Sequence, residues 1–175
     1  MCVCSVAICI DTLIQQNDGS GGFNRSWDEY KMGFGQPGFN YWLGNELLHQ
    51  LTADYRYNLK LELQQTYNGK WYYALYRTFR VLSEADGYTL QVSGYSSNTG
   101  SNALHNQNGM KFSTFDRDND AMSEKNCAKD YAGGFWYNAC GDCSVNARSN
   151  WNYWLGMFIG DEKLSNTRMW LECKQ

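Results

Sequence analysis

Between residues 116 and 131 the chain reads DRDNDAMSEKNCAKDY. Carboxylates alternate at Asp116, Asp118 and Asp120, a cluster of hard oxygen donors suited to Ca²⁺. An EF-hand loop begins with the same alternation. Counted from Asp116, however, its glycine position holds Ala121 and its bidentate glutamate position holds Cys127. No helix pattern flanks the run, so the EF-hand reading fails. A second constellation follows at Cys140-Gly141-Asp142-Cys143. A thioredoxin-type pair needs a βαβ setting, which the sequence lacks. A zinc site needs two more closely spaced ligands, and only Cys2 and Cys4 stand as candidates. Redox and zinc chemistry are both set aside, and Cys143 is expected to pair with Cys173 unless one of them links two chains.

Catalytic patterns are missing. The two histidines are His49, in NELLHQLT, and His105, in NALHNQNG, and both read as structural or surface residues. There is no G-x-S-x-G elbow, no glycine-rich phosphate loop and no H-E-x-x-H. The aspartates are taken up by the ion, so the chain is expected not to be an enzyme. A net charge of -3 without a Lys/Arg stripe gives no case for nucleic acid. Aromatics make up 16% of the residues, with 13 Tyr and 7 Trp, and rings with polar tips can line a binding surface.

Seven cysteines, at 2, 4, 9, 127, 140, 143 and 173, point to an oxidising, extracellular setting. The odd number leaves one thiol free or bonded to another chain, so a disulfide-linked homo-oligomer is open. The opening MCVCSVAICI lacks a basic flank and is too short to span a bilayer, so neither a signal peptide nor membrane insertion is expected. A secreted-looking domain without a recognisable signal suggests a fragment or an incomplete gene model.

The elements that would position these residues are partly legible. NDGSGG (17–22) reads as a turn. SWDEYKMG follows, with Ser26 and Glu29 spaced as a capping box and Gly33 as the stop of a short helix. Asn24-Arg25-Ser26 is also an N-glycosylation sequon. NELLHQLT (45–52) predicts a second helix with Asn45 as N-cap. YNLKLELQQ alternates Leu59, Leu61 and Leu63 with Asn58, Lys60 and Glu62, a strand with one buried face. Asn68-Gly69 predicts a two-residue mirror-type turn into KWYYALYRTFRVL, and Asp86-Gly87 precedes a third strand, YTLQVSGYS. These make an α+β domain, an antiparallel meander carrying short helices. From about residue 94 periodicity fades, and a loop-rich segment of that length needs a metal or disulfides to fix it.

Five stretches in order, DGSGGFNRSWDEYKMGFG, YWLGNELLHQLT, YALYRTFRV, NGMKFSTFDRDND and NCAKDYAGGFWYNAC, resemble the fibrinogen C-terminal globular domain family, which includes ficolins, tachylectins, angiopoietins and tenascins. The resemblance spans roughly residues 12–173 and divides the chain into an atypical N-terminal remnant (1–11) and a fibrinogen-like domain (12–175). Within that domain, 12–93 holds the helix and sheet part, and 94–175 the loop-rich calcium and pocket part. The family's N-terminal subdomain is nearly absent, and GDCSVNARSNWNYWLG replaces the family's late strand-forming stretch.

The resemblance implies a calcium site formed by the side chains of Asp118 and Asp120 and the carbonyls of Met122 and Glu124. Lys125 is the alternative carbonyl donor, because the segment before Cys127 is one residue longer than in fibrinogen. It also implies a Cys127–Cys140 disulfide, whose short loop would contribute about 3 kcal/mol by the chain-entropy model. In the sugar-binding members the peptide before the second cysteine, here Ala139–Cys140, is cis and turns its amide toward an acetyl group. Tyr131 matches a pocket aromatic, which makes Tyr131, Ala139, Cys140 and Gly141 the candidate ligand residues. Two departures alter this pocket. The histidine after the second cysteine is Gly141, and the Tyr-Ala pair falls at Arg148-Ser149. Trp151, Tyr153 or Trp154 are candidates for a replacement wall. The implied function is a secreted, calcium-stabilised, lectin-like domain binding acetylated glycans or cell-surface glycoproteins in innate-immunity-type recognition. The alternative is a protein-interaction module of a receptor ligand or matrix protein.

Overall fold

The computed structural model describes residues 9–148, 152–157 and 163–174. Its centre is a seven-stranded antiparallel sheet in the order β2 (Phe34–Gly35), β3 (Tyr41–Trp42), β1 (Thr12–Asn17), β9 (Leu164–Cys173), β4 (Tyr57–Gln65), β5 (Trp71–Val81) and β6 (Leu90–Ser97). The expected meander forms its second half: β4 (Tyr57–Gln65), β5 (Trp71–Val81) and β6 (Leu90–Ser97). Burial alternates along β4 as its sequence predicts, with Leu59, Leu61 and Leu63 fully inside. The β4–β5 connection differs from the expected two-residue turn. Gln65 N donates to the Lys70 carbonyl at 3.0 Å around a four-residue loop, and only Gly69 takes a positive φ, of 67°. Asn68 instead accepts from the Lys70 amide (2.8 Å) and donates to Gln65 (2.8 Å), so its side chain closes the loop that its backbone was expected to turn.

The first half of the sheet holds β1 (Thr12–Asn17) and the short β2 (Phe34–Gly35) and β3 (Tyr41–Trp42). The last strand, β9 (Leu164–Cys173), inserts between β1 and β4, so the chain's end becomes the centre of the sheet. Thr167, Met169 and Leu171 point inward from β9 while Arg168 and Trp170 stay partly exposed. With Thr12 opposite Leu171, β1 brings Cys9 to the end of β9, and Cys9 is bonded to Cys173. That corrects the expected Cys143–Cys173 pair. Cys143 is the free cysteine of the described residues and is fully buried, its Sγ 3.7 Å from the Ala103 carbonyl.

The helix α1 (Trp27–Met32) forms as its capping box predicts, with Ser26 and Glu29 bonded reciprocally and Gly33 ending it at φ 89°. The second helix, α2 (Asn45–Thr52), is capped one residue earlier than expected. Gly44 is the N-cap, at φ 112° with backbone packed around it, while Asn45 Oδ1 accepts the Trp42 indole N–H at 3.1 Å. Tertiary contact has taken the side chain that the sequence offered to the helix end.

Between β6 and β9 the chain is mostly loop, with α3 (Cys127–Tyr131) and a two-stranded pair, β7 (Cys143–Ser144) and β8 (Tyr153–Trp154). Phe112 and Trp136 anchor it to the core by packing on Trp42, with Phe112 also on Tyr30 and Phe135 on Trp136. Buried amides complete the attachment. Gln15 donates to the Val145 carbonyl (2.9 Å), Asn146 Oδ1 (3.0 Å) and Thr167 Oγ1 (2.9 Å), and Asn17 also reaches Val145 (3.0 Å). Side chains supply the hydrogen bonds that a regular ladder would have supplied.

Candidate functional site

The three aspartates separate by role. Asp116 accepts the Trp27 amide at 3.0 Å and the Thr114 hydroxyl at 2.7 Å, which fastens the start of α1 to this loop. Asp118 accepts the Asp120 amide at 3.2 Å. Asp120 accepts the amides of Met122 and Cys127, each at 2.8 Å, so one carboxylate spans the turn from the aspartates to α3. Burial, and then the neighbouring charge of Asp118, raise the Asp120 carboxyl above its ordinary value against the pull of those two amides.

Two residues that sequence reasoning passed over hold the loop in shape. Asn119 donates its side-chain amide to the Phe112 carbonyl (2.8 Å) and its backbone N–H to the Ser113 hydroxyl oxygen (3.0 Å). Asn126 caps α3 by accepting from Lys129 (2.8 Å) and donates to the Thr114 carbonyl (3.0 Å). The signal was present in Asn126-Cys-Ala-Lys, an N-cap spacing too short to show periodicity. Met122 packs partly against the core, Glu124 is exposed in the turn, and Lys125 pairs with Asp130 at 2.9 Å. The donors this turn can offer a cation are the two carboxylates of Asp118 and Asp120 and backbone carbonyls. Among the described residues no group of three or more His, Cys, Asp or Glu side chains is set to hold a metal. All the donors here are oxygens, which suits a hard ion.

The loop is joined to the candidate pocket at three points. Cys127 is bonded to Cys140, Ala121 N donates to the Asn138 carbonyl at 3.0 Å, and Asp120 holds the amide of Cys127 itself. Tyr131, at the end of α3, stacks on Tyr137 with centroids 5.6 Å apart and meets Tyr153 at 5.9 Å. The Tyr153 hydroxyl lies at 3.0 Å from the Gly141 carbonyl and 3.3 Å from that of Cys140. Burial, then hydrogen bonding with Tyr131, pushes the Tyr153 phenol up, so it stays a neutral donor. Tyr131, Cys140 and Gly141 are thus brought together with Tyr153, and Ala139 stands exposed beside them.

Other expectations are corrected. No peptide bond among the described residues is cis, so Ala139–Cys140 is trans, and Cys140 instead takes φ 61° to make the turn. Trp154 is fully buried with its indole N–H on the Ser101 carbonyl at 3.2 Å, a core residue and not a pocket wall. Trp151 and Ser149 lie outside the described residues, while Arg148 donates its amide to the Tyr131 carbonyl at 2.8 Å. Gly141 has a reason to be glycine. It sits at φ 74°, and a Cβ there would lie 2.3 Å from the Gln107 amide. Gln107 is fully buried, accepting from the Asp142 and Cys143 amides (3.1 and 3.3 Å) and donating to the Ala103 carbonyl (2.5 Å). The CGDC pair is split between a disulfide and the core. Burial raises the Cys143 thiol well above its ordinary value, which keeps it protonated and unreactive.

The pattern of the fibrinogen beta and gamma chains' C-terminal globular domain matches residues 10–172. The chain belongs to this family. It is 46% identical over 136 residues to bovine (Bos taurus) angiopoietin-4, covering 77% of this chain and 27% of that protein. Over 134 residues it is 41% identical to human ficolin-3, covering 77% and 44%. These relatives are more than twice as long as the part they share with it. The fibrinogen-like globe domain of human ANGPTL6 superposes with a TM-score of 0.84 at 34% identity, over 94% of this chain and 78% of that one. The antiparallel sheet with few short helices is the fibrinogen-like globe fold. Domains of this family are non-enzymatic recognition modules. No helix among the described residues is long and apolar enough to cross a membrane.

Proposed function

We propose that this domain is an extracellular, calcium-stabilised recognition module that binds acetylated glycans at the recess between Tyr131, Tyr153 and the Cys140–Gly141 turn. The observation that carries the reading is that Tyr131 meets Tyr153, whose hydroxyl bonds the half-buried Cys140–Gly141 turn, with Ala139 open to solvent beside it. Aromatic faces pack against sugar rings, and phenol and backbone groups bond hydroxyls and acetyl amides. Its extracellular relatives and its two disulfides support the setting.

Calcium would be held by the carboxylates of Asp118 and Asp120 with the carbonyls of Met122 and Glu124, and would supply a fixed positive charge. The donor set fits such an ion: two carboxylates sit in one turn, joined by the Asp120 amide on Asp118, and every donor beside them is a hard oxygen. Asp120 would then keep its hold on the Cys127 amide, and the Cys127–Cys140 bond would pass that order to the pocket.

A second reading has its own observation. Gln107 fills the space beside Gly141 where sugar-binding members carry a histidine, which favours a protein-interaction module without sugar binding. Retention on an N-acetylglucosamine resin in millimolar calcium, with elution by free sugar or chelator, separates the two. If folded protein passes straight through, the glycan reading falls and the protein-interaction reading stands.

A further inference from the structure

Recognition makes no use of the one Asn-x-Ser/Thr triplet in the sequence, Asn24-Arg25-Ser26. It lies in the loop between β1 and α1. Phe23 and Trp27 on either side are 1% and 3% exposed, so the loop is pinned at both ends and Asn24 and Arg25 are turned outward between them. Arg25 folds back on its own loop, donating to the Gly22 carbonyl (3.1 Å) and to Glu29 (2.9 Å). Asn24 is exposed, and its side chain makes no hydrogen bond within the described residues. Asparagines in loops commonly bond their own backbone, and this one does not.

Ser26 shows the opposite state. Its hydroxyl donates to the Glu29 carboxylate (3.1 Å) and accepts the Glu29 amide (3.3 Å), so in the folded domain it is held by the helix cap. The sequon hydroxyl is available only before α1 forms, while the acceptor amide is open afterwards.

We propose that Asn24 is an N-glycosylation site, modified on the unfolded chain before α1 closes over Ser26. The donor is a lipid-linked oligosaccharyl pyrophosphate. The Asn24 amide nitrogen attacks the anomeric carbon, a C–N bond forms and the C–O bond to the pyrophosphate breaks. The lipid pyrophosphate leaves, the displaced amide proton passes to base, and nothing is oxidised or reduced. Folding then occupies Ser26 in its cap and leaves the glycan in solvent, where it displaces no contact. The inference rests on the secretory route of the proposed function and not on sugar binding.

The full chain, placed behind a secretion leader and expressed in insect or mammalian cells, is measured by intact mass before and after peptide-N-glycosidase. The expected result is one enzyme-removable glycan, absent from Asn24→Gln and retained by Ser26→Thr, which keeps both sequon and cap. Asn24→Gln should leave the melting temperature of the deglycosylated domain unchanged, whereas Ser26→Ala should lose glycan and cap together. A folded, secreted chain with the mass of the bare sequence overturns the proposal, as does a shift that persists in Asn24→Gln. Cell-free translation with endoplasmic-reticulum microsomes reads the sequon without secretion, and a protease-protected chain with no shift is equally decisive against it. Failure on the sugar resin would leave the glycan mass unchanged, so the two readings fail separately.

Discussion

Asp116 and Asp120 lie four residues apart with the same charge, yet they answer to different partners. Asp116 holds the first amide of α1, and Asp120 holds the amide of Cys127 beside Asp118. Each charge-assisted bond of this kind is worth about 1.5–3 kcal/mol. Asp116→Ala should therefore lower stability by about 2 kcal/mol to the same extent in calcium and in chelator. Asp120→Ala should cost about as much and also abolish the calcium-dependent part of the melting temperature. Thermal melts of both variants, with calcium and with chelator, make the comparison. Equal calcium shifts in wild type and Asp120→Ala would remove Asp120 from the ion. At Gly141, a histidine must meet Gln107 and adopt φ 74°, so Gly141→His should destabilise by about 1–3 kcal/mol in a denaturant titration.

At the scale of elements, side-chain caps substitute for length. Helix α1 is six residues long and depends on its capping box and on the Asp116 contact. The Glu29 carboxyl lies below its ordinary value, chiefly because it accepts the Ser26 amide. Its contribution is present above the unfolded-state value and is lost as pH falls through the folded-state value. Glu29→Gln should accordingly flatten the acid limb of the stability curve, and leave the limb above neutrality as in wild type. These elements were legible because their signals are local: Ser26 and Glu29 three apart, and Leu59, Leu61 and Leu63 alternating. Strand β9 was not, although Thr167, Met169 and Leu171 alternate in it. Their partners are at positions 12–17 and 57–65, and no local signal places a C-terminal strand between them. Asn45 and Asn68 misled for a related reason. Asn45 was read as a helix cap and Asn68 as a turn residue, and in each case the side chain had found another partner.

On the scale of the whole molecule, the two ends of the chain close on each other through Cys9–Cys173, across 164 residues. The chain-entropy model assigns a loop of that size about 5 kcal/mol, an upper figure because denatured chains keep some structure. Cys9→Ser should lower the unfolding midpoint far more than any surface change, while Cys143 stays unreactive to alkylating agents until the core opens. The cysteine count pointed to an oxidised domain, and the family resemblance implied the pairing of Cys127 with Cys140. Neither could reveal the mate of Cys173, which the neighbouring of β1 and β9 decides. The aspartate run stood out as a short contiguous motif, and Tyr131 was singled out through the resemblance. Gln107 and the trans turn at Cys140 were not, and Tyr153 stood only as one of three candidate rings, since these depend on how distant loops settle together.

The central claim is that a calcium-ordered loop shapes a sugar-binding recess. Calorimetric titration of N-acetylglucosamine into the folded domain tests it directly, in millimolar calcium, in chelator, and with Tyr131→Ala shown to be folded. The expected result is saturable binding that chelator and Tyr131→Ala each remove. Absence of binding in calcium, or binding that survives Tyr131→Ala unchanged, would contradict it.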